Sequence, residues 1–200
     1  MDASKDAQQI LKQVDAYIEL ARTYSDKDEL DKAEEIFEML INGFFPNIRR
    51  HPFCMTLDEM EDIESLKLKA KLVFFYAIQC RRQGKYEACL RIYDIAFLLH
   101  GDLEKTDFYT YRALRLQIQI NISFVHDEMG NFDKANEYSL YALSALIAMN
   151  KSVEGRFSDT ISNIIGGLEK LYQKYDKPEK IELLKTIVHS EKWDNLDDLQ

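Results

Sequence analysis

The chain has 200 residues, a formal net charge of −9, seven glycines, three prolines and three cysteines. A chain of that length buries about 70% of its unfolded surface without disulfides or metal, and so few turn-forming residues argue against a β-sandwich or barrel. The acidic balance, with basic pairs at Arg49–Arg50 and Arg81–Arg82 but no basic run, argues against direct nucleic-acid binding.

Apolar residues recur at helical spacing along almost the whole chain and predict helices in pairs. The first pair covers 5–43. Ser4 can cap its first helix, whose stripe is Ile10, Val14, Tyr17, Ile18, Ala21 and Tyr24. After Ser25–Asp28 the second helix carries Leu30, Ala33, Ile36, Phe37 and Leu40, and Gly43 is expected to end it. Residues 43–55 combine two prolines with Phe44, Phe45, Phe53, Arg49 and Arg50; they read as a long loop and a second candidate binding element.

Thr56 and Glu59 form a capping box for the second pair, 56–101. Its first helix carries Leu66, Ala70, Val73, Phe74, Ala77 and Cys80; after Gly84 the partner carries Tyr86, Cys89, Leu90, Tyr93, Ala96 and Phe97, up to Gly101. The third pair, 106–149, opens at Thr106 as cap, turns at Gly130 and resumes with Phe132, Ala135, Tyr138 and Ala142. The fourth, 158–190, shows Ile161, Ile164, Ile165, Leu168, Leu171 and Tyr172, with Pro178 in the first turn of its partner helix. Gly166–Gly167 inside it suggest close helix packing. Residues 191–200 form an acidic tail in which Trp193 is expected to fold back as a cap.

Three inter-helix turns share a pattern: a tight turn, a large residue two positions later, a small one three further on, then another large one. The sets are Asp28, Leu30, Ala33, Phe37; Gly84, Tyr86, Cys89, Tyr93; and Gly130, Phe132, Ala135, Ser139, where the serine departs from the pattern. In the preceding helices Tyr17, Leu20, Ala21 and Tyr24 continue it, and Val73, Tyr76, Ala77 and Cys80 do so more loosely. This resembles the tetratricopeptide repeat. The steps from Cys89 to Ala135 and from Ala135 to Ile181 are both 46 residues, against ~34 in the usual repeat, so the likeness is to the extended-repeat branch of the superfamily. It implies an all-α fold: one domain, a right-handed α-α superhelix of about four antiparallel hairpins. It also implies a concave groove lined by the first helix of each hairpin.

Carried onto this sequence, the groove positions are Ile18 and Arg22; then Lys71, Phe74, Ile78, Arg81 and Arg82; then Gln117, Ile120, Asn121, Phe124 and Asp127; and finally Asn163, Lys170 and Lys174. Phe74 and Phe124 would anchor apolar side chains of a partner, the basic residues would meet carboxylates, and Asn121 and Asn163 would bond a peptide backbone. The chaperone-type carboxylate clamp is missing as a set, because Ile18, Arg22 and Phe75 stand at its positions. The expected function is a protein- or peptide-binding adaptor or scaffold. A peptide-gated regulator and a small acidic secretion-type chaperone are the alternatives.

Nothing in the sequence points to catalysis. His51, His100, His126 and His189 show no ligand spacing, the carboxylates of 58–64 lack a calcium-loop pattern, and no Gly-rich phosphate loop or nucleophile elbow occurs. No metal, cofactor or enzymatic activity is expected. Cys54, Cys80 and Cys89 lack zinc or disulfide spacing. The N-terminus has no signal-like apolar region, and the longest apolar run, Leu72–Ile78, is too short to span a membrane. A reducing cytoplasm and a protein or peptide ligand are the expected setting; exposed end faces allow a homodimer.

Overall fold

The protein is all-α. A computed structural model describes residues 3–44, 63–153 and 155–200. The helices are α1 (Ala3–Asp26), α2 (Leu30–Phe44), α3 (Ile63–Arg82), α4 (Tyr86–Leu103), α5 (Phe108–Glu128), α6 (Phe132–Ser152), α7 (Ser158–Lys174) and α8 (Pro178–Ser190). A 3-10 helix, Trp193–Leu199, follows. Among the described residues there is no strand. The chain forms two compact units, Met1–Tyr111 and Arg112–Gln200, and the division falls inside α5 without a linker.

The four predicted hairpins close with one turn used four times. Asp28, Gly84, Gly130 and Asp176 each adopt a left-handed conformation, with φ of 63°, 70°, 76° and 52°. The next residue's N–H reaches back to a carbonyl near the helix end: Glu29 to Tyr24, Lys85 to Cys80, Asn131 to His126 and Lys177 to Tyr172, at 2.8–2.9 Å. The N–H of each left-handed residue bonds a carbonyl three residues back: Ser25, Arg81, Asp127 and Gln173 respectively. This pair of bonds is the Schellman motif, and it satisfies helix carbonyls that would otherwise be left without a partner. Glycine takes the conformation freely, whereas aspartate tolerates it at some cost.

In the first unit α1 packs on α2 and α3, α2 on α3, and α3 on α4. Ala21 and Ala33 are both fully buried, as expected for small residues where helices approach closely. In the second hairpin the Cys89 thiol sits 3.2 Å from the Ala77 carbonyl. In the third the roles reverse, and the Ser123 hydroxyl donates to the Ala135 carbonyl at 2.7 Å. Burial pushes the Cys80 thiol up to about 11, so it behaves as a core hydrophobe. In the second unit α7 packs on α6 and α8, and the 3-10 helix packs on α6 and α8.

Several local expectations change. Gly43 lies inside α2, which runs on to Phe44, and Gly101 lies inside α4. Neither is left-handed, and the fully buried Leu103 rewards the extra turn of α4. Asp107, rather than Thr106, caps α5: its carboxylate accepts from the Thr110 N–H at 3.1 Å, while the Thr106 hydroxyl donates back to Leu103. Tyr17 and Leu20 are 45% and 40% exposed, and the α1 core stripe is Val14, Ile18, Ala21 and Ser25. The acidic tail is folded, and its buried side chains are Leu196 and Leu199; Trp193 is half-buried. The Thr56–Glu59 capping box, most of the 43–55 loop, His51 and Cys54 lie outside the described residues.

Candidate functional site

In the second unit α5 and α7 border a groove of about 470 Å³, within the usual range of ligand pockets. Its apolar lining comes from Ile120 and Phe124 of α5 and from Ile164, Gly167 and Leu171 of α7. Helical spacing explains the set: residues four and seven apart share a face. Phe124 remains 39% exposed. Gln117, Thr160, Asn163 and Lys170 supply polar groups. Lys174 closes on Asp127, with Nζ 2.6 Å from a carboxylate oxygen, and the Tyr175 hydroxyl donates to the Asp127 backbone carbonyl at 3.2 Å. That pairing holds the Lys174 ammonium above its ordinary pKa.

Two features keep this groove open. Ser139, on α6, lines it. The corresponding residues of the first two hairpins, Phe37 and Tyr93, are large and almost fully buried. Truncating such a buried aromatic costs about 3–5 kcal/mol, so a serine here forgoes stabilisation of that order. The second feature is Gly167. A Cβ added at Gly166 or Gly167 would meet no atom within 4 Å, so the glycines do not serve the close helix packing expected of them. Each one in a helix interior costs about 1 kcal/mol relative to alanine.

The basic positions of the first unit are occupied differently. Lys71 bridges Asp15 and Glu19 of α1 at 2.6 and 2.7 Å. Arg22 lies 5.0 Å from the centre of the Phe75 ring and 3.7 Å from Glu19. Arg82 donates to the Ser25 carbonyl and hydroxyl and pairs with Asp26 at 3.6 Å. These bonds tie α3 to α1. Arg81 is also engaged, and Ile78 is half-buried. Phe74 packs against Phe75, Tyr93 and His100, with ring centres 5.5–6.4 Å apart, which makes it part of the α3–α4 packing. Ile18, placed in the groove by the sequence, is fully buried, and Asn121 is also buried.

The structure thus brings Gln117, Ile120, Phe124, Asp127, Asn163, Lys170 and Lys174 together around one cavity, whereas Asn121, placed in the groove with them by the sequence, is buried and does not line it. Sequence reasoning missed Ser123, Ser139, Thr160, Ile164, Gly167 and Leu171 as lining. The signal for Ser139 was present, as the small residue breaking the repeat pattern. His126 is packed, stacked on Tyr138 with ring centres 5.5 Å apart, and burial followed by the nearby Lys134 lowers its pKa. Among the described residues no group of three His, Cys, Asp or Glu is placed to hold a metal, and no helix is long and apolar enough to cross a membrane.

No family model matches the chain, and no curated protein matches it. Among solved structures it is similar to the crystal structure of BtubC (BKLC) from P. vanneervenii, with a TM-score of 0.61 and 16% sequence identity. The match covers 91% of this chain and 63% of that one. At this identity the likeness shows the all-α fold alone.

Proposed function

We propose that this chain is a tetratricopeptide-like binding protein that holds a protein or peptide segment in the α5–α7 groove. The observation that carries the reading is the groove of about 470 Å³ with Gly167 and Ser139 in its lining, where larger residues would give a more stable fold. Stability left unused at a concave, mostly apolar surface is a common mark of a binding site. The four identical turns support the repeat resemblance.

Selection from a random-peptide display library tests it. Wild type and a Gly167→Phe variant, which places a ring into open space, serve as baits. Peptides enriched on wild type should bind Gly167→Phe at least about tenfold more weakly, because the blocked site excludes a buried anchor. Phe74→Ala, outside this groove, should keep them. Equal binding to wild type and Gly167→Phe, or no enrichment at all, sinks the reading.

A further inference from the structure

The floor of the groove has a defined hydrogen-bond polarity. Ser123 and Ser139 are 3% and 9% exposed, and both line the cavity. Their hydroxyl oxygens are 2.6 Å apart, and the Ser123 oxygen is also 2.7 Å from the Ala135 carbonyl. A carbonyl only accepts, and a serine hydroxyl has one proton and two lone pairs. The Ser123 proton is therefore committed to Ala135, and Ser139 must donate its own proton to Ser123. Both protons are used, which leaves acceptor capacity on the floor and no donor.

Lys170 adds a second constraint. It is an exposed groove residue without an ion pair among the described residues, and its positive charge opposes a second cation nearby. The donor that suits the floor is thus neutral, a hydroxyl or a carboxamide, and a ligand carboxylate complements Lys170.

Resting on the groove reading above, we infer that the occupant is a peptide segment that directs a hydroxyl- or carboxamide-bearing side chain onto Ser139 and sets a carboxylate beside Lys170. Ser139 is the specificity-determining residue and Lys170 the electrostatic one. Valine fits the same volume as threonine but offers the floor no donor, so the serine pair separates the two.

The experiment repeats the library selection with Ser139→Ala and Lys170→Gln as additional baits. Wild type should enrich Ser, Thr, Asn or Gln at one position with Asp or Glu close by. Ser139→Ala should lose the first preference and Lys170→Gln the second. In the best wild-type peptide, replacing the donor residue by its apolar counterpart (Thr by Val, Asn by Leu) should weaken binding to wild type about fivefold and to Ser139→Ala less than twofold. Equal loss on both proteins overturns the inference, as does an apolar residue at that position in both selections. Either result leaves the groove reading intact if Gly167→Phe still blocks binding. Absence of any peptide sensitive to Gly167→Phe overturns both.

Discussion

Asn136 is a buried polar residue that links three elements of the second unit. It is 2% exposed, accepts from the Tyr172 hydroxyl at 2.7 Å and donates to the Leu199 carbonyl at 2.8 Å. One side chain thus ties α6 to α7 and to the 3-10 helix. Asn136→Ala leaves the buried Tyr172 hydroxyl without its acceptor, while the Leu199 carbonyl keeps Lys180 as a donor, and should lower the unfolding free energy by about 1–3 kcal/mol, read by urea denaturation. His126 gives a pH signature. Its folded pKa lies below the ordinary 6.5, so the unfolded chain binds the proton more tightly. Its contribution is fully present above about pH 6.5 and is lost as pH falls through the folded value. Lys134 adds to the depression and Glu137 opposes it. Urea midpoints measured at pH 7.5 and 5.5 should fall more for wild type than for His126→Phe.

The repeated turn makes the hairpin the working unit of the fold, and its four copies differ in a way that can be measured. Gly84→Ala and Gly130→Ala force a Cβ into the left-handed region and should each destabilise by about 1 kcal/mol. Asp176→Gly relieves the same strain and should stabilise by several tenths of a kcal/mol up to about 1 kcal/mol; thermal unfolding of the three variants reads the sign. The turns at Asp28, Gly84 and Gly130 were legible in the sequence because a Schellman motif is local, with its six residues contiguous. Helix ends without such a motif were less so. Gly43 and Gly101 look like stops, yet their helices continue, because tertiary burial of a residue such as Leu103 outweighs the preference for glycine at a terminus.

Across the second unit, the 3-10 helix covers α6 and α8, and helical repeats need such a cover because each hairpin has an apolar face that a neighbour must bury. Leu199 is fully buried, and Lys180 donates to its carbonyl and to that of Gln200. Leu199→Ala should cost about 2–4 kcal/mol by large-to-small truncation, measured as a lower urea midpoint. The sequence points to Trp193 for the covering role, but Leu196 and Leu199 carry it, and a short segment with two buried leucines has too little periodicity to register as a helix in the sequence.

Local chemistry wrote the helices, their pairing and the turns at Asp28, Gly84 and Gly130, each of which follows from neighbours within a turn or two of helix. The groove positions 117, 120, 124, 163, 170 and 174 come instead from the repeat resemblance, and these residues line one cavity. Whether a groove position is free to bind depends on residues far away in the chain. Lys71 is held by Asp15 and Glu19, and Phe74 by Tyr93 and His100, so basic and aromatic residues that look alike in sequence serve internal packing. The space beside Gly167 and the proton order of Ser123 and Ser139 likewise come from three helices meeting, because an open volume and a hydrogen-bond direction are properties of what surrounds a residue.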